Sequence, residues 1–169
     1  GLHALIKEVT TVKAQNVLKM EILSRSSNES FARVSVAAFV SQLDPTIEEI
    51  SDIKTAVSEA VTNCIVHAYK DGIGKIYITV KIFEGGTVSI KIRDTGCGIE
   101  DIHKAMEPLF TTAGGERAGL GFAVMQSFMD KVRVTSAVGR GTSVTMSKKI
   151  STQESIPASG KSEQTDGGK

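Results

Sequence analysis

The chain is short of cysteine, of long apolar runs and of net charge, and each shortage removes a class of protein. Cysteine occurs twice in 169 residues, as Cys64 and Cys97. Two thiols so spaced make no metal-ligand set, and a single disulfide between them is the weaker alternative to free thiols. No secretion signal is read at the N-terminus, where a basic region, an apolar block and a small-residue cleavage site are all missing. Both thiols are therefore expected reduced, in a cytoplasmic protein. No apolar run approaches the length of a membrane span. A formal net charge of +1 supplies no global electrostatic argument for nucleic acid or an anionic membrane, so neither is expected as a direct partner. What remains is 40% hydrophobic and 23% charged, the composition of an ordinary globular domain with a real core.

The pattern along the chain divides it into an N-terminal segment of uncertain origin (1–18), one folded domain (19–150) and a tail (151–169). The tail is almost free of large apolar side chains and is expected to be disordered. Residues 18–25 alternate as a strand, with Leu18, Met20 and Ile22 on one face. Ser26 stands three residues before Glu29, a candidate capping box. The helix that follows carries two apolar stripes: Phe31, Val34 and Ala38, and then Ala32, Val36, Phe39, Val40 and Leu43. Such a helix is buried on both sides or serves a partner. Asp44-Pro45 resembles a second helix start, followed by Glu48 and Glu49 at the positive end of the helix dipole. That helix is expected to pause near Ser51 and to run to about Tyr69. Residues 75–83 and 87–94 alternate strictly around a Glu-Gly-Gly turn, the clearest hairpin in the sequence. A short helix near 101–106, a helix beginning near 119 and two strands at 131–138 and 142–150 complete the order β-α-α-β-β-α-α-β-β. That order predicts an α+β two-layer sandwich: a mixed, mainly antiparallel sheet with helices on one face. The other face, with Lys75, Lys81, Lys91 and Arg93, is free to be solvated.

Three polar groupings stand out against this frame. In the second helix, Ile53, Val57, Ala60, Cys64 and Ala68 form the buried stripe. Glu59 and Asn63 each precede a stripe residue by one position, about 100° around the helix. They are one turn apart on the shoulder of the stripe, where a helix can meet the rim of a cleft; a solvated pair is the plain alternative. Second, Asp94 ends a strand, and Gly96 and Gly98 flank Cys97. A carboxylate there can accept from the exocyclic amine of adenine, and glycines leave room for a ring or phosphate; a tight turn with an Asx bond accounts equally for the residues. Third, Thr111, Thr112 and Arg117 belong to a glycine-rich loop leading to Gly119 and Gly121 at a helix start. Exposed backbone N–H groups at such a start suit a phosphate, and Arg117 can add a bidentate contact. Neither the phosphate-loop nor the dinucleotide fingerprint is present.

Taken in order, Glu59-x-x-x-Asn63, Asp94-x-Gly96-x-Gly98 and Gly119-x-Gly121 resemble the GHKL family of ATP-binding domains, which have the Bergerat fold. Residues 28–46, 58–69, 93–102, 108–112 and 129–146 resemble one branch, the sporulation anti-sigma factors, which are serine-protein kinases. The resemblance implies ATP/ADP and Mg²⁺ as cofactors, Asn63 as the metal ligand and Glu59 as the general base. It implies Asp94 at adenine, Gly96 and Gly98 making room for the ring, and Thr142 holding the adenine end through water. It makes residues 108–118 a mobile lid, with Gly119 and Gly121 cradling phosphates. Ala118 stands where the branch often has serine. The implied partners are a sigma factor, which the protein inhibits, an anti-anti-sigma antagonist phosphorylated on serine, and a second copy in a homodimer. Arg33 falls in the partner-binding region, with a snorkelling surface arginine as the alternative. The same boxes serve general-stress anti-sigma kinases and would serve a sigma-binding module in which nucleotide only sets conformation.

Overall fold

The computed structural model describes residues 12–107 and 120–153. The expected tail from 154 onward and the expected lid, with Thr111, Thr112, Arg117 and Gly119, lie outside the described residues. Strand β1 (Asn16–Leu23) begins two residues before the alternation in its sequence shows it. Helices α1 (Ser27–Val40) and α2 (Ile47–Asn63) follow. The hairpin comprises β2 (Lys75–Ile82) and β3 (Thr87–Asp94). Helices α3 (Ile102–Met106) and α4 (Phe122–Phe128) lead to β4 (Lys131–Ala137) and β5 (Gly141–Lys149). The sheet order is β1-β2-β3-β5-β4, and all four pairings are antiparallel. The expected two-layer sandwich is present, with its sheet antiparallel throughout the described strands.

Alternation dictates which sheet face is buried. Ile76, Ile78, Val80 and Ile82 in β2, Val88, Ile90 and Ile92 in β3, and Val144 and Met146 in β5 point into the core. Against them pack Ala32, Val36 and Val40 of α1, Ile53, Val57 and Val61 of α2, and Phe122 and Met125 of α4. Each fully buried large aliphatic side chain contributes about 1.5–3 kcal/mol. Only one of the two apolar stripes of α1 enters this core. Phe31 and Val34 remain 55% and 57% exposed, so α1 is not a helix buried on both sides.

Two local expectations are corrected. Ser26 has helical backbone angles and makes no side-chain cap, so there is no Ser26–Glu29 capping box. Glu29 is instead drawn to α2, where Ser58 Oγ donates to it at 2.5 Å. The capping box lies at Thr46, whose hydroxyl accepts from Glu49 N–H at 3.1 Å while Thr46 N–H donates to Glu49 Oε1 at 3.0 Å. Helix α2 thus starts after Pro45, not at it, and Asp44 occupies a left-handed turn. No pause occurs at Ser51. The α-helix ends at Asn63 and continues as a π-turn over Cys64–Ala68, in which Tyr69 N–H donates to the Cys64 carbonyl at 3.2 Å. That register leaves the Ala68 carbonyl to accept from Cys97 N–H at 3.1 Å, tying the helix end to the loop after β3.

Candidate nucleotide cleft

Strand alternation and the helix shoulder bring the polar groups together at one end of the sandwich. Asp94 closes β3 on the same face as Ile92, and Thr142, second in β5, shares a face with Val144. Asn63 ends the α portion of α2 above them. These three line a cleft of about 260 Å³ with Gly98. Its apolar walls come from Ala60, Ile92, Ile99, Leu120, Phe122 and Val144.

Asp94 is buried and is the only carboxylate among the described lining residues. Its Oδ1 accepts from Gly96 N–H at 3.0 Å and from Thr142 N–H at 3.2 Å. The Cys64 thiol donates to Oδ2 at 3.6 Å. Burial, reinforced by the Asp94 charge, pushes the Cys64 thiol far up, so it remains protonated. A thiol is a weak donor, so Oδ2 retains capacity for a stronger one. Thr142 is fixed through Ser136, whose hydroxyl donates to the Gly141 carbonyl at 3.0 Å and accepts from Ile99 N–H at 2.8 Å. With that proton committed, the Thr142 hydroxyl donates to Ser136 Oγ across 2.8 Å and keeps lone pairs for an incoming group.

The two glycines also meet their own protein closely. A Cβ on Gly96 would collide with the backbone of Ala68 in the π-turn, and Gly96 does not line the cleft. Gly98 has φ +76 and packs against the Ala137 carbonyl. Both are required by the loop's close approach to its own protein; only Gly98 also faces the cleft.

Glu59 and Asn63 are half-buried on the shoulder of α2, as their spacing predicts. The Asn63 amide nitrogen donates to the Leu120 carbonyl, which leaves the amide oxygen as the acceptor. Glu59 does not line the cleft; it lies against Gly121, which caps α4 with φ +65, and a Cβ there would overlap Glu59 Oε2. Among the described residues no three histidine, cysteine or carboxylate side chains gather to hold a metal. A single neutral amide oxygen fits a cation such as Mg²⁺, which keeps waters and fills its shell from phosphates. Arg33 stands apart from the cleft on α1, its Nε 3.3 Å from Glu29 Oε1 in an ion pair poorly directed for a hydrogen bond.

Several cleft residues escaped the sequence reading, among them Cys64, His67, Lys70, Leu120 and Phe122. His67 lies one helical turn beyond Asn63, and Ile92 and Val144 each lie two residues from a polar site residue on the same strand face. Those offsets were the available signal. His67 has its pKa lowered by burial and then by Lys70, which favours the neutral imidazole. Cys64 and Cys97 are both free thiols.

A helix layer over an antiparallel sheet, with a polar cleft at the strand ends, defines a nucleotide-binding domain of the ATPase type. Residues 24–148 match the family model described as a histidine kinase-like ATPase domain. The anti-sigma F factor of Thermoanaerobacter sp. (strain X514) is 61% identical over 137 residues, spanning 80% of this chain and 94% of that protein. The anti-sigma F factor of Clostridium novyi (strain NT) is 56% identical over 143 residues, spanning 82% and 98%. Among solved structures, the RsbU and RsbW domains of Rv1364c from Mycobacterium tuberculosis share the fold with a TM-score of 0.60 and 18% identity, over 80% of this chain and 32% of that one. The chain belongs to the histidine kinase-like ATPase family, in its anti-sigma F factor group. No helix among the described residues is long and apolar enough to cross a membrane.

Proposed function

We propose that this protein is a cytoplasmic, ATP-dependent serine-protein kinase that binds and inhibits a sporulation-type sigma factor and phosphorylates a serine of its anti-anti-sigma antagonist. The observation that supports this is that Glu59 stands one helical turn from Asn63 with its carboxylate beside Gly121, whose neighbours Leu120 and Phe122 line the cleft together with Asn63, Asp94 and Thr142. The two ends have different chemistry. Asp94 Oδ2 accepts the adenine amine, a donor that guanine does not offer at that ring position. Thr142 serves the same end through its hydroxyl. Asn63 supplies an oxygen to Mg²⁺, whose charge offsets that of the phosphates.

In this reading Glu59 meets the approaching hydroxyl. Its carboxylate takes the proton of the substrate serine as the serine oxygen bonds to the terminal phosphorus of ATP and ADP departs with the electrons of the broken P–O bond. The anti-sigma F relatives support sigma binding. A module that only binds sigma would not need a carboxylate at this position, which favours the kinase.

A phosphotransfer assay with Mg·ATP and the antagonist protein tests the reading. Glu59→Gln is expected to retain ATP binding and to lose transfer by about 10²–10⁴-fold. Undiminished transfer would remove Glu59 from the role of base. We assign the exposed stripe of Phe31 and Val34, with neighbouring Arg33, to partner contacts that include a second copy of the chain.

A further inference from the structure

The net charge of +1 conceals a segregation of charge between the two layers. Helices α1 and α2 carry five acids, Glu29, Glu48, Glu49, Asp52 and Glu59, against two cations, Arg33 and Lys54. The open sheet face has the opposite character. Its side chains are fixed by alternation, because their strand neighbours are the core residues. It presents Lys19 from β1, Lys75 and Lys81 from β2, Lys91 and Arg93 from β3, and Lys131 and Arg133 from β4. The strands place one acid on this face, Glu21, and it is bound to Lys75 at 2.9 Å. Asp71 and Glu84 lie outside the strands. None of Lys19, Lys81, Lys91, Arg93, Lys131 or Arg133 is in an ion pair among the described residues.

The register orders these cations. Lys19 pairs with Thr79, Thr79 with Lys91, Lys91 with Thr145, and Thr145 with Arg133. One row across the sheet therefore alternates cation and hydroxyl, with cations about 10 Å apart, two strand spacings. Within β3 and within β4, cations two residues apart are separated by about 6.7 Å. The centre of the face is a shallow concavity of about 360 Å³ lined by Lys19, Tyr77, Thr79, Lys91 and Arg93, with Glu21, the acid bound to Lys75, also on its wall.

From this geometry we infer that the open sheet face is a binding surface for the phosphate backbone of nucleic acid, separate from the nucleotide cleft. Charge complementarity sets the partner's sign, and the composition sets its class. Cores of protein–protein interfaces are depleted in lysine and rest on apolar or aromatic anchors. Here the central positions are cations and hydroxyls, groups that bind phosphate oxygens. The exposed apolar residues of the face, Val17 and Leu23, are confined to edge strand β1, too few for insertion into a bilayer. Recognition is of backbone and not of sequence. The one aromatic ring, Tyr77, is covered by the Arg93 guanidinium 4.2 Å from its centroid, so it offers no free stacking platform.

Fluorescence anisotropy of the full chain with a labelled single-stranded RNA of mixed sequence tests this. Binding is expected to weaken with salt between about 50 and about 200 mM, with a log–log slope of about −2 to −4 for three to six phosphate contacts. The combined variant Lys19→Gln, Lys91→Gln, Arg133→Gln is expected to lower that slope's magnitude by about 2. Its far-UV circular dichroism and ATP affinity should match the parent, because all three residues face solvent on the side away from the cleft. A scrambled sequence of the same length should bind equally. Absence of binding at the lower salt, binding unaffected by the triple substitution, or binding to vesicles containing phosphatidylserine in place of RNA would each overturn the inference.

Discussion

Replacing Asp94 by asparagine tests the cleft most sharply, because the substitution preserves shape while reversing one polar atom. The asparagine oxygen can take over Oδ1 and keep the bonds from Gly96 and Thr142 N–H, now 3.0 and 3.2 Å. The nitrogen then occupies the Oδ2 position and presents hydrogens to the Cys64 thiol and to the adenine amine. A donor would face a donor where a charged acceptor had been. A hydrogen bond to a charged group contributes about 1.5–3 kcal/mol, equivalent to about a 10- to 150-fold rise in the ATP dissociation constant. Isothermal titration calorimetry measures it directly, and a thermal melt close to that of the parent would show that the loop after β3 still holds. The same donor suits the carbonyl of guanine, so the preference for ATP over GTP should narrow as well. An ATP affinity within twofold of the parent, in a folded variant, would refute the assignment of Asp94 to adenine.

Three further outcomes follow from other parts of the molecule. Gly121→Ala forces a side chain into a left-handed backbone and against Glu59; a loss of about 1–2 kcal/mol is expected from the backbone alone, read as a lower Tm together with impaired phosphotransfer. Glu49 is desolvated, which raises its pKa, but bonds from Thr46 and Ser151 outweigh that and hold it below the ordinary carboxylate value. Its contribution is therefore present above the ordinary carboxylate range and is lost as pH falls through the lowered value. Melts recorded from pH 6 downward should show the parent losing its advantage over Glu49→Gln. Phe31→Glu places a charge in the exposed stripe of α1 and should convert a dimer to a monomer by light scattering at micromolar concentration, whereas an unchanged mass would detach Phe31 from the dimer surface.

Much of this site was legible before any coordinates, for a definite reason. Glu59 and Asn63 are separated by one helical turn, and Asp94 follows an alternating run whose face is set by parity. Both relations are local, so the chain itself places the carboxylate and amide on a shoulder and the aspartate on the core side of its strand. The capping box was misplaced because Ser26–Glu29 and Thr46–Glu49 both have the required spacing. Competition from Ser58 on a neighbouring helix removed Glu29 from the first, and no sequence window contains that contact. The close packing around Gly96 is equally absent from any sequence window. Its constraint is the Ala68 carbonyl, brought near by a π-turn that the apolar period of α2 does not announce.

The sequence alone determined the order of helices and strands, the buried parity of each strand and the residues that could meet at a nucleotide cleft, since these rest on periods of two and 3.6 residues. Only the tertiary structure decided which stripe of α1 is covered, which atoms complete the coordination of Asp94, and where the charges lie. Those depend on which surfaces pack together. A net charge near zero does not distinguish mixed layers from segregated ones. Pairing of five strands gathers lysines and arginines distant in the chain onto one face, where Glu21 is the one acid the strands supply.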